Sequence, residues 1–160
     1  MAQPTYHTVK RESIESIPLD GAVLRLLAGR YVDENGKLHQ GFVGSHLPLD
    51  YYELAVEAGH SVEVPVDVDH SVLAFTLGGP ALIGGLPLGE RTAAKLVDGD
   101  RVGITATGEK PSVVLLTSSV ALHEPIAWGG PIVMNSVAEL NQAFRDLDDG
   151  TFIREGVRSL

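Results

Sequence analysis

Between residues 20 and 120 the chain alternates short apolar runs with turn-forming residues. The segment Ser61-Val62-Glu63-Val64-Pro65-Val66 shows the pattern most clearly, with valine at every second position and Ser or Glu between, the period of a strand with one buried face. Further strands are predicted at 22–27, 51–56, 71–77, 81–83, 94–97, 101–105 and 112–117. Glycine, proline and aspartate clusters separate them: Gly78-Gly79-Pro80, Gly84-Gly85, Asp98-Gly99-Asp100 and Gly108-Glu109-Lys110-Pro111. Many short strands at regular turn spacing predict an all-β antiparallel sandwich or barrel. Asn35-Gly36 suits a type I′ hairpin turn, in which both central residues need positive φ, and Asp98-Gly99-Asp100 reads as a second hairpin.

The periodicity changes near the C-terminus. Ser136-Val137-Ala138-Glu139 is a capping box, in which Ser136 accepts from the amide of Glu139 and Glu139 reaches back to the cap amide. Val137, Leu140, Phe144 and Leu147 then form one apolar stripe, and Gly150 supplies a left-handed stop. This helix is expected to pack on the outside of the sheet. Residues 1–18 are polar and irregular and are expected to form an arm, with one domain over 19–153 and a tail at 154–160.

Composition narrows the functions open to the chain. Its 160 residues, 44% hydrophobic and 21% charged, suit one domain able to bury a core unaided. The formal charge is −9 and stays negative with all six histidines protonated, so nucleic acid and anionic membrane are not expected partners. Without cysteine there is neither a disulfide nor a thiolate, and chemistry falls to His, carboxylate or hydroxyl groups. The N-terminal residues do not read as a secretory signal, which makes the cytoplasm the expected location.

Three stretches carry a family resemblance. Glu124-Pro125-Ile126-Ala127-Trp128-Gly129-Gly130-Pro131-Ile132-Val133-Met134-Asn135-Ser136, followed by Glu139, Ala143-Phe144-Arg145-Asp146 and Gly150-Thr151-Phe152, resembles the closing segment of the C-terminal cupin domain of the pirin family. Asp20-Gly21 leading to Leu27-Ala28-Gly29, and Leu49-Asp50-Tyr51-Tyr52 leading to Gly59, support it. Phe42 after Gly41 departs from the family, which tends to carry proline there. The resemblance implies a cupin, a jelly-roll barrel or double-stranded β-helix, with one C-terminal helix. It also implies a C-terminal half standing alone, since pirins have two cupins. Their metal, held by three histidines and a glutamate, and their link to quercetin-cleaving dioxygenase activity belong to the N-terminal one. A solitary half is expected to self-associate, to meet a complementary cupin subunit, or to take a small apolar ligand in its barrel.

A metal cupin needs two histidines two apart on one strand, a carboxylate beyond them and a third histidine on a later strand. Aligning the motif on Gly59 and Gly79 places Pro65 and Asp67 at the paired histidines, Ser71 or Val72 at the glutamate, and Ser112 or Val113 at the last histidine. No metal, cofactor or catalytic residue is therefore predicted. His46, Asp67 and His70 are the residues from which a non-standard site could be made, with Tyr52 as a barrel hydroxyl. His7, His39 and His60 are expected at the surface. His123-Glu124 lacks the second histidine and the helix of a zinc-protease motif, Gly84–Gly89 lacks the Lys-Ser/Thr of a phosphate loop, and Trp128 is expected to pack at a turn.

Overall fold

Strands form here because the side that alternation makes apolar has one core to enter. The computed structural model describes residues 7–153, which fall into two compact units, 9–121 and a second whose described part includes 122–153. After a 3-10 turn at Arg11–Ser13, the larger unit runs through β1 (Glu15–Leu19), β2 (Ala22–Ala28), β3 (Arg30–Val32), β4 (Leu38–Gln40), β5 (Leu49–Val56) and β6 (Ser61–Pro65). It continues through β7 (His70–Gly78), β8 (Ala81–Ile83), β9 (Leu86–Leu88), β10 (Ala93–Leu96), β11 (Arg101–Ala106) and β12 (Ser112–Val120).

A six-stranded sheet in the order β1-β2-β5-β12-β7-β10 and a four-stranded sheet in the order β6-β11-β8-β9, both antiparallel, share one apolar core. Leu24, Leu54 and Leu116 enter it from the first sheet, and Val64, Ile83 and Ile104 from the second; none of the six exposes any surface. Each such side chain contributes about 1.5–3 kcal/mol by burial. The polar groups that enter the core are all bonded: Thr76 donates to the Gly89 carbonyl at 2.5 Å and accepts from the Thr92 amide at 2.9 Å, and Ser112 donates to the Pro80 carbonyl at 2.6 Å. This is the all-β jelly roll that the alternation and the resemblance led us to expect.

The turns depart from expectation in instructive ways. The type I′ pattern lies at Gly84-Gly85 between β8 and β9, where both residues have positive φ (55° and 82°). At Asn35-Gly36 only Gly36 does, at 77°, because the Asp33 carboxylate accepts from the amides of both Asn35 and Lys37 at 2.9 Å and organises a longer turn between β3 and β4. Asp98-Gly99 is not a hairpin: β10 pairs with β7 and β11 with β6, so the turn carries the chain from one sheet to the other. The segment expected as an arm contains β1, which begins at Glu15 and buries Ile17 in the core; residues 1–6 of that arm and the tail expected at 154–160 lie outside the described residues.

In the second unit, β13 (Ala127–Gly129) and β14 (Ile132–Met134) form a hairpin beside α1 (Val137–Asp148). Ser136 caps the helix, accepting from the Glu139 amide, while its hydroxyl, rather than its amide, meets the Glu139 carboxylate at 2.8 Å. Gly150, at φ 71°, closes it with the Gly150 amide on the Leu147 carbonyl and the Thr151 amide on the Asp146 carbonyl. The helix buries Leu140 and Ala143 against Ala127 and Ile132, so within this unit its sheet is the small hairpin, while Val137 and Leu147 remain exposed. No helix among the described residues is long and apolar enough to cross a membrane.

Candidate functional site

Burial along the strands shows which positions face the barrel interior. On β6 these are Val62 and Val64, while Pro65 and, beyond the strand, Asp67 are exposed. The alignment through Pro65 is therefore one residue out of register with the interior. On β7 the inward residues are Val72, Ala74 and Thr76, and on β12 Ser112, Val114, Leu116 and Ser118, so Ser71 and Val113 take the other face. These side chains offer aliphatic groups and hydroxyls already bonded within the fold. They do not fit a histidine-glutamate metal centre, and no group of three His, Asp or Glu able to hold a metal forms among the described residues.

The four residues singled out from the sequence differ in their surroundings. Tyr52 is buried, 3% exposed, with its hydroxyl donating to the Arg30 carbonyl at 2.5 Å and its phenol pKa pushed up, chiefly by burial. Its polar end is thus consumed in anchoring the start of β3. Asp67 is exposed and shapes a turn: its carboxylate accepts from the Asp69 amide at 3.0 Å and its carbonyl from the His70 amide at 3.1 Å. His70 is half-buried at the start of β7, with Nδ1 2.8 Å from the Ser118 hydroxyl of β12. His46 lies exposed in the loop before β5.

Sequence reasoning missed His39. Expected at the surface, it is 6% exposed on β4, with Nδ1 2.8 Å from the Glu15 carboxylate of β1 and Nε2 3.1 Å from the Asp33 carboxylate. Both ring nitrogens meet acceptors, which only the imidazolium can satisfy by donation. The bond to Asp33 and then that to Glu15 raise the His39 pKa, and the same contact lowers that of Asp33. The available signal was cross-strand position: His39 lies opposite Tyr31 across the turn, and Tyr31 is part of the core. Trp128 corrects another expectation. It is 76% exposed and donates to the Gly130 carbonyl at 2.6 Å instead of packing.

Comparison with known proteins agrees with the fold. The family model described as the Pirin C-terminal cupin domain matches residues 51–153. A Pseudomonas aeruginosa protein provisionally named quercetin 2,3-dioxygenase is 31% identical over 96% of this chain and 52% of its own length. Mouse pirin is 25% identical over 99% of this chain and 54% of its own. The crystal structure of quercetin 2,3-dioxygenase from Acinetobacter baumannii superposes with a TM-score of 0.81 at 29% identity, over 92% of this chain and 50% of that one. The chain spans about half the length of these proteins. With its two-sheet barrel, its C-terminal hairpin and helix, and the family match over most of its length, the chain belongs to the pirin family and corresponds to its C-terminal cupin domain.

Proposed function

We propose that this chain is a cupin module that acts by binding, using the outer face of its six-stranded sheet to meet a second cupin domain, either another copy or a complementary subunit. The observation that carries this reading is the composition of that face. Register places Leu115 beside Phe75, and Val113 beside Ala55, itself beside Val23. Leu73 and Leu77 flank Phe75 on β7 and are 52% and 48% exposed. An antiparallel sheet with water on one side is expected to alternate apolar with polar residues. Here the centre of the outer face is apolar, the composition of a surface that another protein covers. The Arg25–Glu53 ion pair borders it on β2 and β5.

Sedimentation of the wild type and of the L73K/L77K double variant tests this. Association of the wild type, alone or with a co-expressed pirin N-terminal-type cupin, and its loss in a folded variant support the reading. A wild type that stays monomeric and ignores the second cupin overturns it.

A second reading rests on the relatives whose names carry quercetin 2,3-dioxygenase: a cupin oxidoreductase with a non-standard site around His46, Asp67 and His70, or one completed across subunits. Metal analysis of protein purified without chelator separates the two. Stoichiometric metal that is lost in His70→Ala favours the enzyme.

A further inference from the structure

We propose that Asn35, at the tip of the β3–β4 hairpin, is a site of intramolecular deamidation whose product releases the hairpin from its Asp33 clamp. Asparagine is among the side chains that degrade unaided in folded proteins, and here Gly36 follows it. Of the chain's three asparagines the structure leaves this one open. It is exposed, and its side-chain amide makes no hydrogen bond among the described residues. Asn135, by contrast, donates to the Glu124 carboxylate at 2.9 Å and to the Pro125 carbonyl at 3.1 Å. Asn141 lies inside α1, where the following amide is fixed in the helical ladder.

The chemistry needs only water. The Gly36 nitrogen attacks Cγ of Asn35, so that an N–C bond forms and the C–N bond of the side-chain amide breaks, and ammonia leaves with the proton Gly36 gives up. Water then opens the cyclic imide at either carbonyl, leaving aspartate or isoaspartate at this position. A side chain on the attacking residue would crowd that ring. Gly36 has none, and no atom lies within 4 Å of where a Cβ would project. Its amide donates to the Asp33 carbonyl at 2.9 Å and must leave it to react, a local opening that costs little at an exposed turn tip.

The consequence follows from what Asp33 holds. One carboxylate oxygen accepts the amides of Asn35 and Lys37, each at 2.9 Å, and the other meets His39 Nε2 at 3.1 Å. Isoaspartate routes the main chain through its own side chain and inserts a methylene between those two amides, so one oxygen no longer reaches both. The new carboxylate also joins Asp33 and Glu34 in a run of like charge. Both effects loosen Asp33, and with it one of the two carboxylates that grip His39. The result is an irreversible release set by time, with no ligand required.

The test is peptide mass mapping of the whole chain after ageing in warm neutral buffer. The mass gain of amide-to-acid exchange is expected on the peptide carrying Asn35, with Asn135 and Asn141 unchanged. The Asp-Gly pairs at 20–21, 98–99 and 149–150 isomerise without a change of mass and do not enter this reading. In the aged fraction, hydrogen exchange at the Lys37 amide should be about tenfold faster than in fresh protein, and that at Val64 unchanged. Asn35→Asp adds the charge without the methylene and should accelerate it much less, while Asn35→Ser should abolish both the mass gain and the faster exchange after ageing. Conversion of Asn35 in the urea-unfolded chain but not in the folded one overturns the inference, as does a modified chain whose Lys37 exchange is that of fresh protein.

Discussion

His39 Nδ1 on β4 lies 2.8 Å from Glu15 Oε1 on β1, a contact that ties the β3–β4 hairpin to the edge strand of the large sheet across 24 residues of chain. Asp33, in the turn of the same hairpin, takes the other ring nitrogen and also accepts the amides of Asn35 and Lys37. One imidazolium therefore fixes both the internal geometry of the hairpin and its attachment. Tyr31, directly opposite His39, packs on Tyr52, so the hairpin closes one region of the core as well.

This arrangement sets a pH dependence of stability. The His39 pKa is raised above its ordinary 6.5, so the contribution is fully present below about pH 6.5 and is lost as pH rises through the higher folded value. Asp33 is lowered below its ordinary 3.8, so its share is present above about pH 3.8 and is lost as pH falls through the lower folded value. Thermal unfolding of the wild type and of His39→Gln, followed from pH 5 to 9, should show a decline in Tm on the alkaline side that is larger in the wild type. The His39 ring protons should titrate above 6.5 by NMR. Parallel Tm curves for the two proteins would remove His39 from the account.

The contrast between the strands and His39 shows what sequence could disclose. Val62 and Val64 were legible because a strand with one buried face repeats every two residues, and the pattern needs no knowledge of its neighbours. His39 was not, because its environment comes from Glu15, which lies in a segment that local polarity marks as an arm. Asp98-Gly99-Asp100 announces a change of direction, but turn chemistry does not say which sheet the next strand joins, and that depends on pairings β10–β7 and β11–β6 far apart in sequence. The candidate residues followed the same rule. Alternation says that at most one of Tyr51 and Tyr52 turns inward, but not which; Tyr52 is the buried one, and the carbonyl that takes its hydroxyl, Arg30, belongs to another strand.

Gly29 tolerates no side chain. Its φ is 85°, and a Cβ there would lie 2.2 Å from the Asp50 carboxylate and 2.4 Å from the Leu49 carbonyl, the first of which also accepts the Arg30 amide. Gly29→Ala should cost about 2–4 kcal/mol in denaturant unfolding. Gly36→Ala, with a similar φ of 77° but open space around it, isolates the backbone component and should cost about 1 kcal/mol. Equal losses would mean that the Asp50 contact is relieved by a small shift.

Thr76 is fully buried and its hydroxyl joins β7 to the segment before β10, bonding the Gly89 and Thr92 carbonyls and the Thr92 amide. Thr76→Val keeps the shape and removes those bonds, so it should cost about 1–3 kcal/mol through the groups left unpaired. Amide exchange should accelerate at Thr92 more than at Val64 in the other sheet. A uniform acceleration would indicate global destabilisation instead.

Trp128 is the chain's one tryptophan, so its fluorescence reports on the β13–β14 hairpin alone. Trp128 is 76% exposed, its cross-strand partner Val133 is 60% exposed, and the indole N–H donates to the Gly130 carbonyl at 2.6 Å. Acrylamide should therefore quench the isolated chain nearly as efficiently as it quenches the denatured chain, with a small red-edge emission difference between them. Trp128→Phe should leave unfolding monitored by circular dichroism within about 0.5 kcal/mol of wild type, since little buried surface is lost. Strong protection from quencher would mean that the hairpin is covered, either by a second molecule or by the chain itself. Repeating the measurement across a concentration series then separates the two, because only association makes the protection disappear on dilution.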